Sequence, residues 1–350
     1  MKKIDYMKYT SYQVGYEIVN LISKIHEYKG KEELFSISNP EVLKKLTRIA
    51  KIQSTESSNR IEGIFTSNKR LKEIVMDKVE PLNRNESEIA GYRDVLELIH
   101  TSNEFIDVTP NVLLQLHKNL YTYSSSNIGG KYKTSDNIIQ EEDILGNKKI
   151  RFVPVKAYLT EDYIKSLCES YNNVVNNTML DPLLIIPIFI LDFLSIHPFT
   201  DGNGRMSRLL TLLLLYKSGY YVGKYIIIEE QIEKSKETYY DVLKLSSDDW
   251  HENTNNNDYF IKYYLGVILS AYKQLEERYI ITRSLNMTSN ERISKYFDES
   301  LVPITKKELV NMMADVAQIT IERNLNILLK EKYIEKIGQG KSTRYIRRKD

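Results

Sequence analysis

The chain has 350 residues, 42% of them apolar and 27% charged, with a formal net charge of +2. This composition predicts a soluble globular protein of two or three domains and excludes a disordered chain. The near-zero net charge gives no global field for nucleic acid or membrane. A single cysteine, Cys168, excludes an internal disulfide and a Cys-based zinc site, and with no leader-like start it predicts a cytoplasmic protein. The longest apolar run contains Asp192 and stops at His197, short of the roughly 20 residues a membrane span needs.

Apolar residues at spacings of three and four (Val14, Ile18, Leu21, Ile22, Ile25) predict a helix over 13–28. A second is predicted over 40–62, and Gly30 to Asn39 between them reads as a connector. Gly63 follows the second helix as a C′ residue, which places Glu62 in its last turn, where an acid opposes the helix dipole. Taken alone, Glu62 and Arg60 read as exposed, solvated side chains. Residues 66–85 read as a linker with a short helix, Lys69 to Lys78, so that 1–85 forms an N-terminal helical region.

The middle region, 86–285, reads as helical apart from one hairpin. Helices are predicted over 87–102, 111–120 (capped by Thr109-Pro110), 160–173, 182–196, 204–217, 229–245 and 259–285. His117 lies on the second of these and reads as a structural histidine. Ile138-Ile139 and Ile150 to Val153, either side of Gly146-Asn147, predict two short strands. Such an isolated hairpin is either a surface decoration or an edge that accepts another chain. Residues 289–350 change pattern. Three short helices, the second opened by the Thr305–Glu308 capping box and the third with Ile319, Leu325, Leu328 and Leu329 inward, precede a two-stranded wing. This order resembles a winged helix-turn-helix. The stretch 330–349 holds eight Lys or Arg against two Glu, so DNA contact through 303–347 is one reading, and packing or partner binding the other. The third helix, in the recognition position, offers Gln318, Thr320, Glu322, Arg323 and Asn326, with Arg323 its one arginine.

Between two apolar segments lies His197-Pro198-Phe199-Thr200-Asp201-Gly202-Asn203-Gly204-Arg205-Met206-Ser207-Arg208. Gly202 and Gly204 allow backbone N–H groups to converge on an anion where the chain enters a helix. Arg205 and Arg208, three apart, are expected to share a face and to suit a di- or triphosphate. Asp201 is an oxygen donor that can hold Mg²⁺ together with phosphate oxygens, and Asn203 adds a neutral donor. His197 can accept a proton near pH 7. Turn chemistry alone would explain Asp201, Gly202 and Asn203, but not a base and two arginines in the same dozen residues.

This stretch resembles the signature of Fic-domain proteins, His-x-Phe-x-(Asp/Glu)-Gly-Asn-Gly-Arg-x-x-Arg, at every defined position. The likeness extends over about 87–280. Gly130-Lys131-Tyr132-Lys133 resembles the family's Gly-x-Tyr-Arg, with lysine for arginine. The resemblance implies a mainly α Fic core with a β-hairpin flap, and an enzyme that transfers AMP from MgATP to a Ser, Thr or Tyr hydroxyl of a protein. It further implies His197 as general base, Asp201 as the Mg²⁺ ligand and Phe199 as the inward anchor of the loop. Gly202, Asn203, Gly204, Arg205 and Arg208 would bind the phosphates, with Arg208 at the γ-phosphate. The hairpin at about 136–153 corresponds to the flap that holds the target segment as an added strand. Ser58-x-x-x-Glu62-Gly63 fits the inhibitory-helix motif, so that Glu62 is expected to pair with Arg208. A homodimer and a bacterial source are also expected. Two other readings stay open: removal of AMP, or transfer of another phosphate-containing group, on the same fold; and a DNA-binding regulator that senses nucleotide.

Overall fold

A computed structural model describes residues 2–38, 40–142, 148–177, 180–283, 288–300, 302–340 and 343–348. The chain divides into two compact units, Met1–Glu27 with Ala50–Ala271, and Tyr28–Ile49 with Tyr272–Asp350. No helix among the described residues is long and apolar enough to cross a membrane.

In chain order the helices begin with α1 (Tyr16–Ser38), α2 (Pro40–Ile61), α3 (Asn68–Asp77), α4 (Arg84–Ser102) and α5 (Pro110–Leu120). The hairpin β1 (Ile139–Glu142) and β2 (Lys148–Phe152) follows, then α6 (Thr160–Asn177), α7 (Pro182–Ile196) and α8 (Asn203–Lys217). Next come α9 (Ile228–Lys234), α10 (Lys236–Ser247) and α11 (Asp258–Arg283). The chain finishes with α12 (Ser289–Glu299), β3 (Ile304–Thr305), α13 (Lys306–Met312), α14 (Gln318–Lys330), β4 (Ile334–Ile337) and β5 (Arg344–Arg347).

The first unit is built around α7 and α8. Both are buried almost all round, as expected of helices apolar on every face. Asp181 caps α7 by accepting the Leu183 N–H at 2.8 Å, with Pro182 at the first helical position. α6 packs on α7, and α4 packs on both α5 and α8. The first dozen residues close the unit over long chain separations. The Tyr6 hydroxyl donates to Asp192 at 2.9 Å, and the same buried carboxylate accepts Trp250 Nε1 at 2.7 Å. The flap strands pair antiparallel, and neither has a further neighbour among the described residues. Its turn, read at Gly146-Asn147, lies outside them, as do Ser284 and Leu285.

The second unit holds its own core of Ile293, Phe297, Leu309, Met313, Ile321, Leu325 and Ile334. β4 and β5 pair antiparallel, and β3 adds a third strand, in the order β3-β5-β4. The Thr305–Glu308 capping box is formed, and Thr288–Glu291 makes another.

Four sequence expectations are corrected. The connector at Gly30 to Asn39 is helical as far as Ser38, because Phe35 stacks on Tyr279 at 3.8 Å and Lys31 pairs with Glu276 at 3.1 Å. The short helix expected within 66–85 is present as α3, but the stretch packs rather than links, since Leu71, Ile74 and Val75 form a small core with Ile89 and Ala90 of α4. The single helix read over 229–245 is broken at Ser235, whose hydroxyl donates to the Gln231 carbonyl and contacts the Tyr263 hydroxyl. Ile319, read as inward, is 80% exposed, since the buried face of α14 runs through Ile321, Leu325 and Leu328.

Candidate active site

The loop between α7 and α8 begins at His197, which ends α7 in the left-handed region (φ 51°, ψ 62°) while its N–H still reaches the Phe193 carbonyl at 2.9 Å. A non-glycine residue adopts this conformation at a cost of about 1–2 kcal/mol, so its surroundings must hold it there. The His197 Nδ1 lies 3.3 Å from the Leu194 carbonyl. A carbonyl only accepts, so Nδ1 carries the proton and Nε2 keeps its lone pair. Burial pushes the imidazole pKa down to about 4, against the opposing pull of Leu194, so the ring is neutral at pH 7.

Phe199 is fully buried and anchors the loop. Its ring stacks on His117 at 3.7 Å and 3°, and more distantly on Tyr132 at 6.3 Å and 16°. His117 also pins the loop by hydrogen bonds. The Gly130 N–H donates to its Nδ1 at 3.0 Å, which fixes the proton on Nε2, and Nε2 donates to the Asp201 carbonyl at 3.0 Å. Composition and periodicity gave this residue no more than a structural reading. The stacking partner 82 positions away was not visible in the local sequence. Asn203, read as a donor to phosphate, spends its side chain on the loop itself: Oδ1 accepts the Phe199 N–H at 3.0 Å and Nδ2 donates to the Phe199 carbonyl at 2.8 Å. Gly202 has φ 83°, and a Cβ there would lie 3.0 Å from the Tyr121 hydroxyl. The Asp201 carboxylate accepts the Gly202 N–H at 2.6 Å and is about half exposed, at 49%.

The two arginines, expected on one face, diverge. Arg205 turns into the core, with Nη1 2.7 Å from Glu88 Oε2 and Nη2 donating to the Tyr121 hydroxyl at 2.9 Å. Arg208 meets the end of α2. Its Nε donates to Ser58 Oγ at 2.8 Å, and its Nη2 to the Ser58 carbonyl at 2.9 Å and to Glu62 Oε1 at 2.8 Å. Burial opposes the Arg208 charge, but Glu62, Tyr92 and Tyr239 beside it raise its pKa, so it stays protonated. Glu62 also crowds the first turn of α8, since a Cβ on Gly204 would lie 2.2 Å from its Oε1. Ser58 and Glu62 therefore meet Arg208 across 150 and 146 chain positions, and the third predicted residue, Gly63, ends the helix that carries them.

The end of α2 is firmly built. Gly63 (φ 77°) donates to the Arg60 carbonyl and Ile64 to the Asn59 carbonyl, both at 3.0 Å, which is the Schellman pattern. Lys236 Nζ reaches the Ile61 carbonyl at 3.1 Å, a cation at the helix C-terminus. Arg60 is not free in solvent as expected. It pairs with Glu56 and, at 3.1 Å, with Glu233. Ser54 and Tyr92 both donate to buried Glu229, at 2.8 and 2.9 Å.

A cavity of about 170 Å³ opens beside these groups, lined by His197, Gly204, Arg208 and Glu62, by Ile139, Arg151 and Phe152 of the flap, and by Tyr239 and Tyr240 of α10. Arg151 lies over the Tyr240 ring at 5.2 Å. Among the described residues no cluster of three or more His, Cys, Asp or Glu could hold a metal unaided.

A helical core that presents such a loop between two buried helices, beneath a hairpin, has the architecture of a Fic domain. Residues 107–215 match the model of the Fic/DOC family, so the chain carries a Fic domain over that stretch. It is 36% identical over 86 residues to a Fido domain-containing protein of Dictyostelium discoideum, covering 25% of this chain and 58% of that one. It is 25% identical over 213 residues to the protein adenylyltransferase Fic of Nematostella vectensis, covering 57% of this chain and 45% of that one. The chain thus spans about half the length of these curated relatives. A solved Fic family protein from Desulfovibrio desulfuricans G20 shares the fold with a TM-score of 0.61, at 22% identity over 97% of this chain and 98% of that one.

Proposed function

We propose that this chain is a self-inhibited protein adenylyltransferase, which transfers AMP from MgATP to a Ser, Thr or Tyr hydroxyl of a target protein or of itself. The observation that carries the reading is the Arg208 guanidinium held by Ser58 and Glu62 beside a neutral His197. His197 Nε2 takes the proton of the incoming hydroxyl. The hydroxyl oxygen forms a bond to the α-phosphorus, the bond from that phosphorus to the bridging oxygen breaks, and pyrophosphate leaves. Free N–H groups of the first turn of α8 favour the developing charge, and Gly204 lets phosphate oxygens approach them. Asp201 fits Mg²⁺, which binds one or two carboxylates together with substrate phosphates and needs no all-protein cage. The ion would offset phosphate charge there. Asn203 shapes the loop rather than binding the nucleotide, and Arg205 supports it from behind.

In the resting state the Glu62 carboxylate takes the place that a terminal phosphate would take, against Gly204 and Arg208. The flap accepts the target as an added strand on an unpaired edge. A second reading has one specific support: Glu62 lines the same cavity as His197, where it could orient a water for removal of AMP. The DNA-binding reading is weaker, because Lys306 pairs with Glu322 and Arg347 is held by Asp298 and the Tyr333 carbonyl.

The test is incubation of the Glu62→Gly protein with MgATP labelled at either the α- or the γ-phosphate. The α-label should be retained on protein with the mass of one AMP, and His197→Ala should abolish it. Retention of the γ-label, or a different added mass, would overturn the reading.

A further inference from the structure

We propose that Lys133 is the positioning residue for His197, clamping the chain on both sides of the histidine and tying it to the root of the flap. This inference rests on the reading of His197 as the base.

Lys133 is 4% exposed and lies 64 positions before His197 in the chain. Its backbone N–H donates to the Pro198 carbonyl at 2.9 Å. Its ammonium donates to the Ile196 carbonyl at 3.1 Å. The peptide units just before and just after His197 are therefore both held by one residue. Such bracketing keeps a non-glycine residue in the left-handed region, where it would otherwise relax. Third, the same ammonium donates to Asn137 Oδ1 at 2.9 Å, two residues ahead of β1. Asp136 beside it accepts the Ala157 N–H at 2.7 Å, beyond the end of β2. Both roots of the flap are thus tied near the histidine.

The clamp continues a strap of residues 130–133 beneath the loop. Gly130 donates to His117, Tyr132 lies against Phe199, and Lys133 finishes at Ile196 and Pro198. Burying an ammonium is costly, and it persists only with good acceptors. Burial lowers its pKa to about 8, opposed by Asp136. The Lys133 charge in turn helps to keep His197 neutral, as does Arg151, while Glu62 acts the other way. A lysine that only filled space would need neither the acceptors nor the charge.

The experiment compares Lys133→Met and Lys133→Arg in the Glu62→Gly protein, with thermal unfolding as a check on folding. Lys133→Met keeps the backbone bond to Pro198 but removes the bonds of the ammonium and its charge. It should lower kcat for AMP transfer about 10- to 100-fold, the loss expected from roughly 1 Å of misplacement, with little change in KM for ATP. Lys133→Arg should recover most of it. NMR titration of the His197 ring in the full chain should show a raised pKa in Lys133→Met and a near-parental one in Lys133→Arg. If Lys133→Met does not fold, Lys133→Gln takes its place with the same expected order. Unchanged kcat and an unchanged His197 titration would overturn the proposal. So would a loss that Lys133→Arg does not recover although that variant folds. If the parent transfers no AMP at all, the proposed function fails, while the His197 titration still decides whether Lys133 positions the ring.

Discussion

His117 accepts the Gly130 N–H at Nδ1 and donates to Asp201 at Nε2, and only the neutral ring can do both. Burial accordingly pushes its pKa down to about 4 from an unfolded value of 6.5, and His100 down to about 3. Between those values the unfolded chain binds more protons than the folded one, so stability falls as pH falls below 6.5. For His117 the loss at pH 5 is of order 2 kcal/mol. Thermal unfolding of the parent should therefore shift downward between pH 7 and pH 5. His117→Gln, which does not titrate, should be less stable at pH 7 but show a shallower slope. An equal slope in both proteins would refute this account of His117. The signature loop was legible in the sequence because its residue types are specialised and adjacent. The tasks of Asn203 and Arg205 were not legible, because Phe199 captures the first and Glu88 the second, and Glu88 lies 117 positions away on another helix.

At the scale of elements, caps and turns were the readable features. Thr109-Pro110, Asp181-Pro182, Thr305–Glu308 and Gly63 act as their residue types predict, since each effect is local. Where tertiary contacts compete with local preference, the local reading failed. Gly30 suggested a break, yet α1 runs through it. A Cβ added to Gly30 would meet nothing within 4 Å, and its φ is not in the left-handed region. Gly30→Ala should therefore stabilise the protein by about 0.5–1 kcal/mol, seen as a higher midpoint in urea with an unchanged slope. A lower midpoint would show that the glycine is required. Ser235 shows the opposite failure: periodicity ran on through a residue whose hydroxyl bonds to the Gln231 carbonyl and meets Tyr263.

At the scale of the molecule, the site draws on segments that the sequence separates widely. Ser58 and Glu62 close α2, Lys133 and Tyr132 underlie the loop, and Arg151 with Tyr240 forms the far wall of the cavity. Arg208 is where these segments converge. It is buried, charged and held by three contacts from one short helix end, and the proposed nucleotide needs the same guanidinium. In the proposed function the Glu62 carboxylate competes with nucleotide for that group and so sets the balance between resting and active protein. The most direct measurement is the initial rate of α-label transfer from MgATP by the parent, by Glu62→Gly, and by Glu62→Gly with Arg208→Ala. The account predicts a rate about tenfold or more above the parent for Glu62→Gly, and its loss when Arg208 is also removed. A Glu62→Gly protein no faster than the parent, with His197 intact and the protein folded, would contradict it.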